Sequence, residues 1–95
     1  MQGVKRVLCI LLLLISACAV KPPAQEMADA RSAIKTATEL PGVTPKADAY
    51  LKSAEKALQE AAEAIRQERY ERAHMKALEA KRQAQRAAFI KQSHN

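Results

Sequence analysis

Few side chains in this sequence could do covalent, metal or acid–base chemistry: two cysteines (Cys9, Cys18), two histidines (His74, His94) and serines at positions 16, 32, 53 and 93. A thiol is the strongest nucleophile among these and the natural point for acylation, disulfide formation or metal binding. Both thiols fall within the first 18 residues, so the rest of the chain has neither a disulfide framework nor a thiolate for zinc. Glu71 is the one potential ligand at helical spacing from His74, too little for a metal site. Ser32, Ser53 and Ser93 have no activating base beyond the adjacent Ser93-His94 near the end of the chain. Glu60 and Glu63 stand among lysines and arginines, where nothing suggests the burial that prepares a carboxyl for acid or base work. No glycine loop for phosphate is present. The residues therefore give no support for an enzyme, a metal, a diffusible cofactor or a small-molecule substrate, and Cys18 is the one position where chemistry is expected.

The residues leading to it read MQGVKRVLCILLLLISAC. Lys5 and Arg6 precede an apolar run from Val7 to Ile15, too short for a membrane span of roughly 20 residues but suited to the core of a signal peptide. Ile15-Ser16-Ala17-Cys18 resembles the lipobox of bacterial lipoproteins, a branched apolar residue and two small residues before a cysteine. The resemblance implies cleavage between Ala17 and Cys18, with a diacylglyceryl thioether and an N-acyl chain on Cys18. Residues 1–17 would then be a removed leader. Cys9 follows Arg6, Val7 and Leu8, with no small residue ahead of it, and reads as part of the apolar core. An ordinary secretory leader and an uncleaved anchor are the alternatives. No aspartate follows Cys18 to resemble an inner-membrane retention signal, so the outer membrane is favoured over the inner. Two acyl chains, at about 0.8 kcal/mol per buried methylene, suffice for stable anchoring. Residues 18–23, ending Lys21-Pro22-Pro23, read as lipidated cysteine and extended tether.

Past the tether the chain must build a domain from little. Aromatic content is 3% and alanine dominates the apolar residues, so the core can only be thin. Alanine interspersed with Lys, Arg, Glu and Gln favours helix. The formal charge of +6 falls to about +4 once Lys5 and Arg6 leave, too modest for a nucleic-acid signature.

Apolar spacings of three and four divide residues 24–92 into helices over about 24–40, 45–66 and 69–91, with residues 93–95 as a frayed tail. The first carries Met27, Ala30, Ile34 and Ala37 on one face and stops at Pro41-Gly42. Thr44-Pro45 is a start signal, threonine as N-cap and proline in the first turn. The second carries Ala47, Leu51, Ala54, Leu58, Ala61 and Ile65. The third carries Tyr70, Ala73, Ala77, Ala80, Ala84 and Ala87, a packing seam of single methyl groups that lets helices approach closely. Arg66-Gln67-Glu68-Arg69 contains no glycine, proline or asparagine, so these residues are compatible with a turn or with one continuous helix.

The stretch Ala64 to Ala80, with Tyr70-x-x-Ala73-x-x-x-Ala77-x-x-Ala80 after a short polar run, is similar to the hinge and second helix of a tetratricopeptide-type hairpin. Residues 18–88 as a whole resemble a family of alanine-rich bacterial lipoproteins of unknown function, built from a lipobox, a proline tether, one helix and such a hairpin. In that family Gly-Asp usually precedes the tyrosine, where this chain has Glu68-Arg69. The resemblance implies an all-α protein, a short helix plus an antiparallel two-helix hairpin, and brings no activity with it.

Arg69, Arg72, Lys76 and Arg86, with Gln83, fall opposite the alanine seam. They form either a contact face for anionic lipid, lipopolysaccharide or an acidic protein, or a solvated surface partly neutralised by Glu68, Glu71 and Glu79. Tyr50 and Tyr70 are expected to fill gaps between helices. So thin a core favours self-association or docking onto a larger envelope protein. The expectation is a non-enzymatic adaptor on the periplasmic side of the outer membrane. The alternatives are an alanine-zipper structural oligomer of the envelope, against which the Pro41 to Pro45 break argues, and a binder of anionic lipid through the basic helix.

Overall fold

The structure is a computed structural model describing residues 21–42 and 44–93. The expected leader over residues 1–17, the expected lipidation position Cys18 and the last two residues lie outside the described residues. Within them the chain is all helical: α1 (Ala24–Glu39), α2 (Pro45–Arg66) and α3 (Tyr70–Ser93), with no strand.

Each boundary has a local cause. Pro23 precedes α1 and its carbonyl takes the Met27 amide at 3.0 Å. Pro23 is also buried, so the tether expected through residue 23 gives way to the domain after Pro22. Leu40 ends α1 in extended conformation (φ −64°, ψ 138°), as the steric demand of a following proline requires. Gly42 follows with φ +106°, a conformation open to glycine and strained for other residues. Thr44 caps α2, its Oγ1 accepting the Ala47 amide at 3.1 Å, and Pro45 opens the first turn. Ser93, assigned above to the tail, belongs to α3, and its hydroxyl donates to the Phe89 carbonyl at 2.8 Å.

The segment that the sequence left open turns sharply. The Arg69 amide donates to the Ala64 carbonyl at 2.8 Å and the Glu68 amide to that of Ile65 at 2.9 Å, the paired bonds of a Schellman ending. Its left-handed position is held by Glu68 at φ 59°. The backbone geometry is therefore the one glycine usually supplies, adopted here by a residue with a Cβ.

The hairpin of α2 and α3 forms the main contact, and α1 lies along it, closer to α3 than to α2. Each layer of the core takes residues from all three helices: Met27, Ala61 and Ala77; Ala30, Ala57 and Ala80; Ala37, Ala47, Leu51 and Ala87. The order of these layers runs α1 parallel to α3 and antiparallel to α2. Every buried apolar residue within the three helices except Met27 and Leu51 is alanine. Each such methyl contributes only about 0.8 kcal/mol on burial, so the fold depends on many small contacts rather than a few large ones.

On α2 the inward line differs from the expected one. Ala57 and Ala64 are buried, whereas Leu58 and Ile65 are half-buried and pack from the rim. Close approach along an alanine seam leaves room at the centre for methyl groups and pushes branched side chains to the edges. Ile34 of α1 is displaced in the same way, to a half-buried position.

Candidate functional site

Ala73, Ala77, Ala80, Ala84 and Ala87 are all at 0% exposure, and Tyr70 is half-buried at the head of their line. The seam is covered within the chain by α1 and α2. Its next position, four residues beyond Ala87, is Lys91, which is buried. Its ammonium donates to the carbonyl of Ala37 at 2.8 Å and of Leu40 at 3.3 Å. Those are terminal carbonyls of α1, a helix with no basic residue in its own last turn. Sequence reasoning missed Lys91, although its place on the seam's spacing was visible.

The basic residues grouped above do not form one continuous free face. Arg69 lies in the turn and Arg72 on the surface, both exposed. Lys76 bridges from α3 to Glu60 of α2 at 2.8 Å and to Glu79 at 3.3 Å. The hydrogen bond with Glu60 raises the Lys76 pKa above its ordinary value, Glu79 adding to it, and the same bond lowers that of Glu60. Arg86 lies over the Tyr50 ring, 5.8 Å from its centre, and its Nη1 donates to the Tyr50 hydroxyl at 3.3 Å. Gln83 is half-buried, its Oε1 buried without a partner among the described residues. The stripe runs beside α2, and that neighbour engages Lys76 and Arg86. On the other flank α3 meets α1 through His74 and Glu26 at 3.5 Å, and Lys81 and Asp29 at 3.9 Å.

What α3 presents outward is a different line. Met75 is 65% exposed, Leu78 38% and Phe89 70%. With Arg82 and Gln85 between them they repeat at the same three-and-four spacing as the alanines, offset by two residues, a second periodicity that the dominant seam masks. Around Met75 and Leu78 the surface carries both signs of charge, with Glu71, Arg72, Lys76, Glu79 and Arg82. Around Phe89 it carries one sign, from Lys46, Arg82 and Arg86. No three His, Cys, Asp or Glu side chains among the described residues are grouped to hold a metal, and no described helix is long and apolar enough to cross a membrane.

The fold thus defines the chain, at the level of class, as an alanine-seamed three-helix bundle containing a tight helical hairpin. No family model matches the chain, and neither does any curated protein or solved structure.

Proposed function

We propose that this protein is a lipid-anchored envelope lipoprotein of the alanine-rich group it resembles, and that it acts without catalysis as an adaptor on the periplasmic face of the outer membrane. Cys18 carries the lipid and the bundle carries the contact. One observation supports the adaptor over the other readings: the alanine seam is occupied inside the chain, while the outer side of α3 leaves Met75, Leu78 and Phe89 exposed in one line. A zipper oligomer would need its alanines free for a second chain. A lipid binder acting through Arg69, Arg72, Lys76 and Arg86 would need those cations unengaged, and Lys76 is bound to two carboxylates. Exposed apolar side chains rimmed by charge are the composition of a protein contact.

The test is to crosslink the native lipoprotein in intact cells, with Cys18→Ser as the unanchored form. One defined envelope protein, captured with the anchored form and lost with Cys18→Ser, is the expected result. Capture of self-multimers alone would overturn the adaptor reading in favour of the structural oligomer.

A further inference from the structure

We propose that the groove between the first turns of α2 and the last turns of α3, lined by Lys46, Tyr50, Arg82, Arg86 and Phe89, binds an acidic segment of a partner protein bearing an apolar side chain. The proposal rests on the adaptor reading and gives its partner a chemistry.

Charge complementarity is the first ground. Lys46, Arg82 and Arg86 bring three cations to the groove, and none of its lining residues is acidic. Elsewhere on α3, Lys76, Lys81 and His74 each face a carboxylate within the chain. Lys46, Arg82 and Arg86 pair with no carboxylate among the described residues. Other cations without a carboxylate partner, such as Arg72, Arg31 and Lys35, share their surface with Glu71 and Glu79 or with Glu55, whereas this groove has no acidic lining.

Arg86 is also held in place. Its guanidinium lies over Tyr50 and spends one donor on the tyrosine hydroxyl. Four of the five N–H donors of a guanidinium then remain for a carboxylate, in a fork whose orientation the ring fixes before binding. Beside it Phe89 stands 70% exposed next to half-buried Ile90, an apolar surface that a free phosphate would leave uncovered.

Position favours a protein over the membrane. Lys21 and Pro22 lie beside Tyr70 and His74 at the start of α3. With lipid on Cys18, three residues before Lys21, that end of the bundle is held at the bilayer. Arg86 lies sixteen residues after Tyr70, roughly 24 Å further along the helix axis. The groove is thus at the end away from the anchor.

The experiment uses the native lipoprotein in phosphatidylcholine discs, titrated by fluorescence anisotropy against a short labelled peptide rich in Glu and Leu. The same peptide with every Glu replaced by Gln serves as the neutral probe. The acidic peptide is expected to bind, and the neutral one to bind at least about ten-fold more weakly, as is the acidic one to Arg82→Glu. Phe89→Ala should weaken it as well, while Arg31→Glu on α1 leaves it unchanged. Unaltered melting midpoints for the variants separate lost binding from lost folding. Adding phosphatidylglycerol to the discs should leave peptide binding in place. Equal binding of both peptides, or indifference to Arg82→Glu, would overturn the proposal. Loss of peptide binding on phosphatidylglycerol would also overturn it, by placing the groove on the lipid surface. If the peptide fails while crosslinking in cells still captures one envelope protein, the groove assignment falls and the adaptor reading stands.

Discussion

Glu68 and Lys91 each do a job usually given to another residue type. Glu68 holds φ 59° where the turn calls for glycine, a conformation that costs an L-residue about 1–2 kcal/mol. Glu68→Gly should therefore raise stability by about 1 kcal/mol, read as a melting midpoint several degrees higher by circular dichroism. A lower midpoint would show that the Glu68 side chain contributes more than its backbone costs. The turn was left open by the sequence because Arg66 to Arg69 carries no turn-forming residue, and the Schellman bonds come from backbone atoms that composition does not mark. Lys91 was hidden for the opposite reason: a charged residue on an apolar line reads as the end of the line, and its partners are carbonyls some fifty residues away. Lys91→Met keeps the aliphatic stem and removes the ammonium, so it isolates the loss of two capped carbonyls. It should cost about 1–3 kcal/mol, measured by urea unfolding.

Among the elements, α2 was the most legible. Thr44-Pro45 marked its start, its bounds fall where the spacing put them, and the Thr44 hydroxyl makes the expected cap. What the spacing could not give was which of two adjacent lines lies deepest. Leu58 and Ile65 outweigh Ala57 and Ala64 in hydrophobicity, yet the alanines occupy the seam because α1 and α3 come too close for a branched side chain. The same crowding yields a prediction at α3. Ala80→Leu, at a position with no exposure, should destabilise the bundle by about 1–3 kcal/mol or more through overpacking. Leu78→Ala, two residues away and partly exposed, should change stability by no more than about 0.5 kcal/mol. Thermal melts of the two variants side by side check the assignment of inner and outer lines; similar losses in both would contradict it.

For the whole molecule, the bundle is joined across its helices by surface charges as well as by the seam, and one bridge has a pH signature. The Glu60 pKa is lowered, so its contribution is present above the ordinary value of 4.5 and is lost as pH falls through the depressed value. The Lys76 pKa is raised, so its share is present below 10.5 and is lost only as pH rises through the higher value. Between those limits the bridge is intact. Wild type should lose more melting temperature than Glu60→Gln as pH falls from neutral to below 4.5, and parallel curves would show that the bridge adds nothing. The sequence made the helical class readable, because that depends on local patterns of spacing and composition. It did not reveal the outward line of Met75, Leu78 and Phe89, because exposure depends on which face the other helices cover.

The adaptor reading depends on that outward line, which site-specific photocrosslinking in intact cells can probe position by position. A photoreactive residue would be placed in turn at Met75, Gln85 and Phe89 on α3, and at Arg31 and Lys35 on the exposed side of α1. One envelope protein is expected from the α3 positions and none from α1. Capture from α1 alone, or crosslinks only between copies of this chain, would contradict it.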